Sequence, residues 1–249
     1  MDAALGRLTD RLAPTLIVAS GDLTHRGRRE QHERAAAFLR GLGPPVVAVP
    51  GNHDIPYTFP ARFTSPWAEF ERLWGTTEPV YEADGLMFVG LNSVRPWRHQ
   101  SGGLRPEQLR WVAERLAEAP AGVLRVVGMH HQMIGAPWRT RKRPLARRSE
   151  VLASLLDGGA ELILSGHTHQ GALAGRHEFE AWSGQPGVTI ATAPGYGQPR
   201  PHRRGEARGL LVYDAEERAV LAHTYIWRDG DWGLTASRRY PRGIDSLKG

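Results

Sequence analysis

The chain has 249 residues, 41% hydrophobic and 23% charged, a composition that fits a single domain over residues 1–249. It has no cysteine, which excludes disulfides and thiolate metal sites, so any metal must be held by nitrogen and oxygen. A formal charge of +6 and a pI of about 10.1 permit an anionic substrate, nucleic acid or a membrane surface as partner, but no apolar stretch approaches the ~20 residues of a membrane span.

In chain order, the opening MDAALGRLTDRLAP carries a helical pattern. It lacks the basic segment and apolar core of a signal peptide, so a cytoplasmic location is expected. Residues 15–20 (TLIVAS) read as a buried strand. Residues 29–42 read as a helix with Ala36, Phe38, Leu39 and Leu42 on its apolar face. Residues 45–50 (PVVAVP) are the next strand and 66–74 the next helix. Residues 80–81 and 86–91 resemble a hairpin turning at ADG. Pro106 opens a helix with Leu109, Val112, Ala113, Leu116 and Ala117 at helical spacing. Residues 124–129 are a strand. Ser149 is expected to cap a helix that stops at Gly158 and Gly159. Residues 162–164 are a further strand, and 188–192, 209–213 and 219–227 read as antiparallel strands. Strand–helix alternation followed by hairpins predicts an α/β layered fold with two sheets.

Four of these strands end alike. TLIVAS runs into Gly21-Asp22, PVVAVP into Gly51-Asn52-His53-Asp54, LRVVGM into His130-His131, and ELILS into Gly166-His167-Thr168-His169. Taken singly, Asp22 reads as a helix cap, Asn52 as a turn residue and His130 as a hydrogen-bonded core histidine. Taken together, they put carboxylate, amide and imidazole at the carboxyl ends of successive strands, where open α/β sheets bind ligands.

GDLTHRG (21–27), GNHD (51–54), MHH (129–131) and GHTH (166–169) stand in the order seen in calcineurin-like metallophosphoesterases, which the chain resembles from residue 15 to residue 169. Residues 91–112, LNSVRPWRHQSGGLRPEQLRWV, also resemble the subgroup related to bacterial cyclic-nucleotide phosphodiesterases. The resemblance implies a metallophosphoesterase-type fold of two packed mixed β-sheets flanked by helices. It implies that Asp22 bridges two metal ions, that Asn52, His130 and His167 complete the ligands of one, and that His169 belongs to the other. His130 is preferred to His131 because it comes first after the strand. His53 would sit beside the substrate phosphate as charge stabiliser or acid to the leaving group, and Asp54 would orient His53 or the loop. The implied activity is hydrolysis of a small phosphate ester by a metal-bound hydroxide, with phosphodiesters such as cyclic nucleotides first. Phosphomonoesters, nucleic acid and nucleotide sugars are the alternatives. Two divalent ions about 3.5–4 Å apart suit this chemistry, since they activate water and neutralise the phosphoryl oxygens. Asp, Asn and His ligands favour Mn, Fe, Co, Ni or Zn over Ca.

The family pattern begins with a strand ending in D-x-H that serves the second ion, and this sequence has none. The expectation is a start at the helix after that strand, because the motifs downstream are intact. The alternatives are a degenerate, scaffold-like homologue with one metal site, or recruitment of His25 or His131. As given, the chain is expected to hold one ion tightly and the second poorly or not at all. The basic loop WRTRKRPLARR (138–148) is a guide for phosphorylated substrate, a nucleic-acid contact or a solvated surface. Nucleic acid is not favoured, for want of interleaved aromatic residues. His32, His177, His202 and His223 read as structural or surface residues. The sequence does not set the oligomeric state.

Overall fold

Alternating side chains in neighbouring strands divide the core into two halves. The computed structural model describes residues 1–98, 100–136, 142–178, 187–197 and 206–243. The helices are α1 (Asp2–Leu12), α2 (Arg29–Arg40), α3 (Ala61–Thr64), α4 (Ala68–Trp74), α5 (Pro106–Ala117) and α6 (Arg148–Asp157). The strands are β1 (Ile17–Ala19), β2 (Val46–Ala48), β3 (Val80–Ala83), β4 (Leu86–Leu91), β5 (Leu124–Met129), β6 (Leu162–Ser165), β7 (Ala172–Gly175), β8 (Thr189–Thr192), β9 (Gly209–Ala215), β10 (Ala219–Arg228) and β11 (Asp231–Pro241).

Six strands form a mixed sheet in the order β3-β4-β5-β6-β8-β7. Successive residues of a strand face opposite sides. Val89, Leu91, Val127, Met129 and Ile163 meet Val112 and Leu116 of α5 and Val151 and Leu155 of α6 on one side. Phe88, Leu124, Val126, Leu162 and Leu164 pack on the other with Val18, Val47, Leu211 and Val220. The second layer therefore holds the parallel pair β1-β2 and the antiparallel ladder β11-β10-β9. Ala4 and Leu8 of α1 cover the outer face of that ladder against Tyr225 and Trp232. The layers run helix, sheet, sheet, helix, which is the α/β arrangement of packed sheets flanked by helices.

Several local expectations need correction. The strand expected at 188–192 is β8, which lies parallel to β6 and antiparallel to β7. The helix expected at 66–74 is α4, and the short α3 before it, which ends where Ser65 leaves helical geometry (φ −147°, ψ 54°), is an addition to the expected elements. Ser149 lies inside α6. Arg147, in the left-handed region at φ 53°, precedes that helix, and no side chain caps it. No helix among the described residues is long and apolar enough to cross a membrane.

Candidate metal centre

The carboxyl ends of β1 and β2 in one layer meet those of β5 and β6 in the other. The Ser20 carbonyl just past β1 accepts from His130 Nδ1 at 2.8 Å. The Gly166 amide just past β6 donates to the His130 carbonyl at 3.0 Å. Close approach is what requires glycine here. A Cβ on Gly21 (φ 85°) would lie 2.6 Å from His130 Nδ1, and one on Gly51 would overlap the Asp22 backbone and carboxylate.

The hydrogen-bond partners fix the histidine tautomers. His130 Nδ1 faces a carbonyl and so carries a proton, which in the neutral ring leaves Nε2 as a lone pair. His167 Nε2 faces the Gln100 carbonyl at 3.1 Å, leaving Nδ1 as a lone pair. These two lone pairs stand 3.0 Å apart. Asn52 Oδ1 is 3.1 Å from His130 Nε2, and Asp22 Oδ1 is 3.4 Å from it. His130 Nε2 thus has three further ligand-type atoms within 3.4 Å. Donors bound to a common ion at about 2.0–2.2 Å stand roughly 2.9–3.5 Å apart along tetrahedral or octahedral edges. The spacing fits one divalent cation, and the convergence of lone pairs calls for one. Asp22, His130 and His167 each offer a ligand atom within 4.8 Å of the others.

The charges fit the same purpose. Burial opposes ionisation of Asp22, but His130, His53 and its backbone amide, and Lys142 outweigh it and hold the carboxyl below its usual range. Burial first, then His130, His131 and Lys142, push His167 strongly down. Burial and Lys142 bring His169 down to about 4. Both imidazoles are therefore neutral near pH 7, the form that binds metal. Asp22, His167 and His169 have φ of 56°, 69° and 61°, a region rare for residues other than glycine and concentrated at functional sites.

His169 lies outside the group of three, and its Nε2 is 3.2 Å from Lys142 Nζ. The His53 backbone amide donates to Asp22 Oδ1 at 3.0 Å. The His53 ring is held through Nδ1 by the His25 carbonyl at 3.0 Å and the Tyr57 hydroxyl at 2.7 Å, and it stacks on His25. Asp54 is buried, and its two oxygens accept from the Thr24 and Gly51 amides, each at 2.8 Å. It ties the 21–27 loop to the 51–54 loop. His131 bonds Ser93 Oγ through Nδ1 at 2.9 Å, so of the two adjacent histidines it is His130 that faces the acceptor group.

Sequence reasoning missed the carbonyls of Ser20 and Gln100, Tyr57, and the inward turn of Lys142. Residues 138–141 of the basic loop and His202 lie outside the described residues, as does the side chain of His177. His32 is buried with Nε2 on the Asp54 carbonyl at 3.0 Å, and His223 pairs with Asp214 at 2.9 Å.

A family model described as calcineurin-like phosphoesterase matches residues 2–171. The chain belongs to the calcineurin-like phosphoesterase family. Proteins of this family act on phosphoric esters and use divalent metal ions. The chain is 33% identical over 181 residues to a probable cyclic nucleotide phosphodiesterase of Synechococcus sp., covering 70% of this chain and 65% of that protein. It is 29% identical over 235 residues to a cAMP/cGMP dual specificity phosphodiesterase of Mycobacterium tuberculosis, covering 90% and 69%. It spans about two thirds of the length of these curated relatives. A dimetal phosphatase of Danio rerio shares the fold at 17% identity, with a TM-score of 0.66 over 97% of this chain and 89% of that one.

Proposed function

We propose that this calcineurin-like phosphoesterase hydrolyses phosphodiesters, with cyclic nucleotides as the substrate class. The observation that carries the reading is the convergence of His167 Nδ1, Asn52 Oδ1 and Asp22 Oδ1 on His130 Nε2, at 3.0–3.4 Å from it. The names of the cyanobacterial and mycobacterial relatives favour diesters over monoesters.

On this reading Asp22, Asn52, His130 and His167 would hold one divalent ion, and His169 and Asp22 face a second position beside it. A divalent ion held by the first set would supply an activated water and neutralise a phosphoryl oxygen. The protein's own groups do the rest. Ser20 and Gln100 keep the two imidazoles in the metal-binding tautomer. His53 keeps its Nδ1–H against the His25 carbonyl, and when the ring is protonated at both nitrogens its Nε2–H stabilises the phosphate or passes that proton to the departing oxygen as the P–O bond breaks, leaving the ring neutral. Asp54 holds the two loops in register, which makes it a positioning residue.

The test is hydrolysis of cyclic AMP and of bis(p-nitrophenyl) phosphate by the full chain, as purified, after chelation and after return of Mn²⁺. The expected result is diester cleavage that chelation abolishes and the ion restores, and that exceeds cleavage of p-nitrophenyl phosphate. Cleavage indifferent to chelation, or none with either diester, would refute it.

A further inference from the structure

We propose that Lys142 is the resident cation of the second position, facing the substrate phosphate where a second metal ion would stand. The inference rests on the proposed function, which puts a phosphate at this centre.

Lys142 belongs to the basic loop, yet its side chain turns inward and is half-buried. Its ammonium donates to the His167 carbonyl and lies 3.2 Å from His169 Nε2. Lys142 therefore stands against His169, which serves the second position. His169 Nε2 points a lone pair at a proton donor, so that nitrogen is already engaged. An ammonium and a divalent ion repel at this distance, and one displaces the other.

The two cations are alike in what they offer a phosphate. Each places positive charge against the phosphoryl oxygens, and lysine does so as a compact point charge on a flexible stem. A phosphate oxygen is a stronger acceptor than a neutral imidazole or a carbonyl. Lys142 can thus transfer a donor to the substrate without leaving its place. It cannot share a water with a metal ion as a second metal would, so its contribution is to binding and charge neutralisation.

The test uses the full chain, with Mn²⁺ and inorganic phosphate as probes, and the variants Lys142→Met and Lys142→Arg. Methionine keeps the apolar stem and removes the charge, and arginine keeps the charge. We expect the wild type to bind one Mn²⁺ per chain. With that ion saturating, phosphate should bind about tenfold to a hundredfold more weakly to Lys142→Met, and Lys142→Arg should recover part of the loss. Two ions bound with similar affinity by the wild type would overturn the inference. So would phosphate binding by Lys142→Met within twofold of the wild type while one ion is bound. If the wild type binds no ion, the proposed function falls, and this inference with it.

Discussion

Asp54 offers the sharpest test of how the site is held. The carboxylate is 1% exposed, and its oxygens accept from the amides of Thr24 and Gly51, both at 2.8 Å. Asp54→Ala strands two buried backbone donors. Each costs about 1–3 kcal/mol when left unsatisfied. Part of this is offset because burial and the nearby Asp22 already raise the pKa of Asp54, so its charged form is itself unfavourable. A net loss of about 2–4 kcal/mol remains, which lowers Tm by roughly 4–16 °C in a chain of this size. The two loops it ties carry Asp22 and Asn52, so metal affinity should fall about tenfold or more. Differential scanning calorimetry of the apo-protein and Mn²⁺ titration measure the two effects. Unchanged Tm and metal affinity with a reduced kcat would show that Asp54 orients His53 instead of the loops.

The remaining predictions follow from the same contacts. Asp22→Ala should lose more metal than His53→Ala, since Asp22 offers a ligand atom to the group whereas the His53 backbone amide donates to Asp22. Elemental analysis of both variants decides it, and equal loss would undo the division of roles. Gly51→Ala should cost about 1–3 kcal/mol by overpacking and empty the site, because the new Cβ overlaps Asp22; wild-type metal content would contradict this. Saturating Mn²⁺ at about 100 times its Kd should stabilise the chain by about 2.7 kcal/mol and raise Tm by roughly 5–11 °C, an effect that His130→Ala should abolish. The pKa of Asp54 is raised in the fold, so its contribution is present in acid and lost as pH rises through the folded value. In the apo-protein the stability gap between wild type and Asp54→Asn should therefore narrow as pH rises. Urea midpoints across the acid range test the sign, and a gap that widens toward neutrality would refute it.

The strand ends were legible because each couples an apolar run to glycine and then to a ligand type, a pattern written in adjacent residues. The preference for His130 over His131 rested on order alone, whereas the structure adds Ser93 as the partner of His131. Other parts of the fold leave little local trace. β7 is Ala-Leu-Ala-Gly, without the β-branched residues that mark strands. β11 is exposed along most of its length and so shows no apolar alternation. The direction of β8 depends on its pairing with β6 and β7, which lie elsewhere in the chain. Lys142 illustrates the same limit at the site. Within a run of like charges nothing local tells which side chain turns inward, and its partners lie 25 and 27 residues away.

The site sits where the fold's forces conflict. Among the described residues six non-glycine positions have positive φ, and three of them are Asp22, His167 and His169. Each such conformation costs on the order of 1 kcal/mol or more, and the lone pairs it aims at one another add repulsion. None of this favours the apo fold. The hydrophobic clusters on both faces of the six-stranded sheet hold the strand ends in place against that cost, so the donors stay converged before any ion arrives. A cation removes the repulsion without moving the backbone. Such a centre trades apo stability for preorganised affinity, and the carboxyl edge shared by two rigid layers is the place in this molecule where that trade is sustained.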